Sequence, residues 1–136
     1  MMNSDTYLDE ILQILKDVAD TDTDFVLSDH ILEEEAFDPN WDGSDQIVLN
    51  SLAKIPLGAQ DSVIGFQCPF MVYCVSTQKD KATAMMSKVD IAFCEKLPID
   101  SWMLQSTQTD RMQNAGTSIH NGWLVQNQYV IYTRKE

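Results

Sequence analysis

Asp38-Pro39-Asn40-Trp41-Asp42-Gly43 sets oxygen-bearing side chains at alternate positions and a glycine at the sixth, which is the first half of a calcium-binding loop. A hard cation needs several oxygens at close range, and Asp38, Asn40 and Asp42 would supply the first of them. The twelfth position is Leu49, where a bidentate glutamate is needed, and no helix is read on either side. Asx-type turns explain the spacing better than an ion does, so no metal and no cofactor is expected. Asp20-Thr21-Asp22-Thr23-Asp24 repeats the alternation but has Phe25 at the glycine position and Ile31 at the twelfth. A thiol nucleophile would require Cys68, Cys74 or Cys94 to meet His30 or His120, with a third group orienting the imidazole. No signature surrounds any of these cysteines, and their spacing fits neither a zinc pair nor a redox motif. They read as reduced thiols packed as small apolar groups. The five glycines are scattered and form no phosphate-binding loop. Enzymatic activity is therefore not expected.

Charge is the most lopsided property. Residues 1 to 46 hold fourteen acids against the single base Lys16, a net charge of −13, while the remainder contributes +1 to the total of −12. Such a field repels phosphate, and without a basic stripe it argues against a grip on nucleic acid. It suits a surface past which DNA slides without specific binding. Glu33, Glu34, Glu35, Asp38, Asp42 and Asp45 are the expected acidic surface. At 136 residues the chain reads as one domain, long enough to bury roughly two thirds of its unfolded surface. No run approaches the roughly eighteen apolar residues of a membrane span. The start Met1-Met2-Asn3-Ser4-Asp5 lacks the basic opening and apolar core of a secretion signal, so synthesis in a cytoplasm is expected.

The elements that must carry these residues follow from periodicity. Leu8, Ile11, Leu12, Ile14, Leu15 and Val18 recur at helical spacing behind a cap at Ser4 or Asp5, which predicts a helix over about 6–19. A short strand is expected at 25–28. An acidic, aperiodic excursion follows over about 29–46, a long loop of the kind that is often functional. Residues 47–52 read as a strand, and Pro56, Gly58 and Asp61 mark a loop. Residues 63–66 and 70–76 give one strand interrupted at Pro69, or two; the second run is the most continuously apolar in the chain and should be central, with Pro69 at its start. Ala82, Met85, Met86, Val89, Ile91, Ala92 and Phe93 predict a second helix over about 78–95, capped by Ser76 or Thr77. Residues 102–106 and 112–119 add further strands. Asn121-Gly122 predicts a type I′ turn into a last strand that is apolar on both faces, with Trp123, Val125, Tyr129 and Ile131 on one and Leu124, Val130 and Tyr132 on the other. The expected fold is α+β: a mostly antiparallel sheet of about four to six strands, two main helices packed on it and a C-terminal β-hairpin. A two-sided, amide-rich strand fits a surface that meets another protein.

The segment Gln67-Cys68-Pro69-Phe70-Met71-Val72-Tyr73-Cys74-Val75-Ser76 is followed at once by a helix and later by a glycine-containing hairpin ending in Tyr129-Val130-Ile131-Tyr132. This succession resembles the tail-terminator family of long-tailed bacteriophages, also called tail-completion or minor tail proteins. The resemblance implies helices packed on a sheet, a homohexameric ring that caps the tail tube, contact with head-side neck or connector proteins, and no enzymatic site. It places the protein in the virion, at the tail and neck. On this reading the 29–45 loop and the 112–134 hairpin make the contacts, with Trp41, Trp102, Met112, Ile119, Trp123, Val125 and Tyr129 as interface residues. Large aromatic side chains at loops and strand ends commonly anchor such contacts. Two alternatives stand beside it: another neck component, such as a head-completion adaptor or stopper, and a small acidic inhibitor or immunity-type module that neutralises a basic enzyme.

Overall fold

The computed structural model describes residues 2–3, 5–19, 23–28, 44–59, 62–112 and 122–134. Its elements in chain order are β1 (Met2–Asn3), α1 (Tyr7–Val18), β2 (Thr23–Ser28), β3 (Asp45–Ser51), β4 (Ile55–Ala59), β5 (Ser62–Ser76), α2 (Lys79–Lys96), β6 (Trp102–Met112) and β7 (Gly122–Arg134). The expected α+β fold is present, with seven strands rather than four to six among the described residues. Four of the six strand pairings are antiparallel; β1 with β7 and β2 with β3 are parallel.

The two longest strands form the spine. β5 and β7 pair antiparallel from Gly65 opposite Arg134 to Ser76 opposite Trp123. Beyond β5 lie β4 and then β3, end to end along the same edge; beyond β7 lie β6 and then β1. Val72, Tyr73, Cys74 and Val75 are fully buried, as the continuous apolar run requires of a central strand.

Pro69 does not start this strand but sits inside it, opposite Val130. Its position explains the tolerance. A strand residue directs its nitrogen and its carbonyl to the same side, and the Pro69 carbonyl accepts from the Leu52 backbone N–H at 3.1 Å. The ring nitrogen therefore faces the gap where β3 has ended at Ser51 and β4 begins at Ile55, so no ladder bond is lost.

Three further expectations are corrected. The stretch around Pro56 and Gly58 is the edge strand β4, with a register shift between Leu57 and Gly58, rather than a loop. Asp45 and Gln46 open β3 and leave the acidic excursion, whose residues 29–43 lie outside the described residues. The last strand pairs with 102–112, not with 112–119: Trp123 stands opposite Arg111 on one side and Ser76 on the other, whereas a two-residue Asn121-Gly122 turn would put His120 there. The hairpin of β6 and β7 stands; residues 113–121, which connect it, lie outside the described residues.

Both helices lie on one face. Ile11 and Leu15 of α1 and Ala82, Met86, Val89 and Phe93 of α2 pack with Ile47, Leu49, Phe70, Val72, Cys74, Val125, Tyr129 and Ile131 of the sheet. The stripe on α2 runs as expected except for Ile91, which is 57% exposed. Phe93 stands edge-on to Phe70, Trp102 and Tyr129 at 6.0, 5.8 and 5.0 Å, and Phe70 stacks on Tyr129 at 5.3 Å. Each such pair adds about 0.5–1.5 kcal/mol beyond its buried area. The helix starts differ from expectation. Thr6 precedes α1 and Gln78 precedes α2 without side-chain capping bonds, while Ser76 Oγ accepts from the Gln78 N–H at 3.2 Å. On the opposite face Val48, Tyr73 and Val75 form a second cluster with Met71 and Leu124, so β5 and β7 are apolar on both sides.

Candidate functional site

Among the described residues, one feature of this fold that can engage another molecule is the pair of open ends of its sheet. Read across, the strands run β6, β7, β5, β3, β2. β6 is eleven residues long, and Met103 through Thr109 are exposed. Its inner edge is held by β7 and by amide pairs, Gln126 Nε2 donating to Gln108 Oε1 and Gln128 Nε2 to Gln105 Oε1, each at 3.3 Å. A register shift between Leu104 and Ser106 makes Gln105 the extra residue. β6 has no strand on its outer side among the described residues, and β2 at the far end pairs only with β3.

The residues expected at an interface divide. Val125 and Tyr129, 3% and 0% exposed, belong to the core beneath α2 and leave the interface set. They face the helices, and periodicity could not say which face the helices would cover. Trp102 is half-buried and packs against Phe93 and Tyr129, so it anchors β6 to the core. Trp123 is half-buried at the start of β7, with the Lys79 ammonium 5.1 Å above its ring. Met112 pairs with Gly122 at the end of β6. Trp41 and Ile119 lie outside the described residues, as do Asp38, Asn40, Glu33, Glu34, Glu35 and Asp42 and both histidines. Asp45, expected on the acidic surface, is buried and bridges to Lys81 Nζ at 3.0 Å.

Sequence reading missed a buried polar cluster between α2 and β7. The Tyr129 hydroxyl donates to Asp90 Oδ1, and Asn127 Nδ2 donates to the Tyr129 oxygen at 2.9 Å and to Asp90 Oδ1 at 3.4 Å. The i, i+2 spacing of Asn127 and Tyr129 on the apolar face of β7 was the available signal. Burial, with the nearby Asp90, pushes the Tyr129 hydroxyl and the Cys74 thiol well above their ordinary ranges. Burial likewise raises Tyr7 on α1, where Cys68 adds to the effect. These groups are neutral at physiological pH, and a buried neutral thiol is a poor nucleophile. Cys68 and Cys74 are packed inside as expected, whereas Cys94 is exposed.

A cleft of about 540 Å³ opens between α1 and the end of α2, floored by Met2, Ile14 and Leu97 and rimmed by Glu10, Gln13, Asp17 and Lys96. Asp17 and Lys96 pair across it at 3.6 Å. Among the described residues no three His, Cys, Asp or Glu side chains gather to hold a metal ion. No described helix is long and apolar enough to cross a membrane. Compared with known proteins, the chain matches no family model and no curated protein.

Proposed function

We propose that this chain is a structural virion subunit, a tail terminator that assembles as a ring on the end of a phage tail tube and joins it to the head-side neck. The observation that carries the reading is the sheet itself. Its helices are confined to one face and its outer strands β6 and β2 are open among the described residues, so the module is built to be extended by neighbours. The charge agrees as well, since a net −13 over residues 1–46 would let DNA pass the ring without adhering. In this reading the partners are copies of the chain, the tube protein below and the connector proteins above.

The test is the mass in solution over a range of concentrations, with and without a tail-tube protein. A hexamer, or a monomer driven into a ring when the tube is added, supports the terminator. A monomer indifferent to the tube that binds one basic partner tightly would replace it with the acidic inhibitor; co-purification with portal-side proteins instead would make it an adaptor or stopper.

A further inference from the structure

The two ends of the sheet are not equally guarded. Natural sheets blunt their edges with proline, charge, bulges or short strands, because a bare row of N–H and C=O groups templates another strand. β4 has three such guards: it is five residues long, contains Pro56 and carries a register shift. β6 has one, the bulge at Gln105; it is eleven residues long, contains no proline, and carries no charge from Trp102 to Thr109. β2, at the other end, is six residues long with a single charge at Asp24 and no proline.

Charge selects the occupant. β2 lies in the acidic N-terminal third and carries Asp24, so a strand of another copy that joins it must bring no acid of its own. A second copy at −12 is repelled over most of its approach, and β6, free of charge from Trp102 to Thr109, is the strand by which it can come in. We infer that β6 of one copy adds to β2 of a second copy, so that one sheet continues from subunit to subunit. This rests on the ring reading above and assigns its joint.

Strand direction supports the pairing. β6 runs opposite to β7, β7 opposite to β5, β5 opposite to β3, and β3 alongside β2 in the same direction. Within one copy β6 and β2 therefore point opposite ways. Copies set side by side with strands and helices in common orientation meet as an antiparallel β2–β6 ladder, and every helix falls on the same wall. The contact is head-to-tail, so each added copy exposes the same edge again until the rotation closes.

The experiment uses full-length chains in a Cys94→Ser background, because Cys94 is the exposed thiol among the three. Single cysteines at 106, 107, 108 and 109 in one chain are mixed with single cysteines at 24, 25, 26 and 27 in another and oxidised, with and without tube protein. The expected result is mixed disulfides at twice the 15.4 kDa chain mass whose paired residue numbers keep a constant sum, the signature of an antiparallel ladder. A constant difference, crosslinks of 106–109 only to themselves, or none at all overturns the inference. Thr107→Glu/Thr109→Glu, at two exposed sites, should abolish assembly while leaving circular dichroism and Tm unchanged; a ring that survives it overturns the edge assignment alone. A wild-type chain that stays monomeric with and without the tube overturns both this joint and the ring.

Discussion

The Tyr129 hydroxyl donates a hydrogen bond to Asp90 Oδ1 where β7 passes beneath α2, and Asn127 Nδ2 donates to both. This polar pin ties the second helix to the sheet inside an otherwise apolar layer. Asp90→Ala removes the shared acceptor and strands the Tyr129 hydroxyl, at a cost of about 1–3 kcal/mol. Tyr129→Phe should cost less, because Asp90 is half-exposed and reaches water. Urea titrations of both single variants and the double variant should show a coupling of about 0.5–3 kcal/mol. Strict additivity would mean the contact contributes nothing of its own.

Gly65 lies where β5 meets the end of β7. A Cβ at this position would stand 2.1 Å from the Thr133 carbonyl oxygen, and the obstacle is backbone, which cannot swing aside. Gly65→Ala should therefore part the strands locally and cost about 1–3 kcal/mol, as overpacking of a tight site does. The same change in an unhindered strand would stabilise the chain slightly by restricting its unfolded state. Thermal unfolding of the variant decides the sign, and an unchanged or raised Tm would contradict the close approach.

How much of this was legible depended on whether the signal was local. α1 and α2 could be read because Ile11, Ile14 and Leu15, and then Ala82, Met86, Val89 and Phe93, repeat at a helical period that no strand can use. The apolar run from Phe70 to Val75 announced a central strand for the same reason. β1 and β4 could not be read. The first has two residues, and the second contains the Pro56 and Gly58 that ordinarily mark a loop. Asn121-Gly122 misled because a turn signal is local, whereas the register of β7 is held along twelve residues by β5. Tyr129 and Val125 read as interface residues because alternation tells which residues share a face but not what covers that face. The edge position of β6 was hidden by its apolar start: Trp102 packs inward, while Met103 through Thr109 are exposed.

Stability should fall on the alkaline side. Tyr129 and Cys74 are raised in the folded state above their ordinary values of 10.0 and 9.0, chiefly by burial, so the fold favours their neutral forms. For a group raised on folding, the contribution is fully present below the ordinary value and is lost as pH rises through the folded one. Unfolded chains release these protons first, and stability drops by at most about 1.4 kcal/mol per pH unit for each group. Urea midpoints should be level from pH 7 to about pH 8.5 and decline from about pH 9 upward. Cys74→Ala should remove the earlier part of the decline, and Tyr129→Phe should lessen the later part, which Tyr7, raised likewise by burial, shares. A midpoint that stays level to pH 11 would show that these groups reach solvent.

Phe93 and Ile91 lie two residues apart on α2 and should respond in opposite ways. Phe93 is fully buried and meets Phe70, Trp102 and Tyr129 edge-on, so it joins the helix, the spine strands and the base of β6. Phe93→Ala empties that junction and should cost about 3–5 kcal/mol, the range for a large aromatic cut from a core. Because Trp102 loses a neighbour, the first residues of β6 should also gain amide hydrogen exchange beyond what global unfolding explains. Ile91 points to solvent, and Ile91→Ser should stay within about 0.5 kcal/mol of the parent. A Phe93→Ala loss confined to α2, with exchange in β6 unchanged, would show that β6 is held by its ladder with β7 alone. Its readiness to accept a second strand would then not depend on the core beneath.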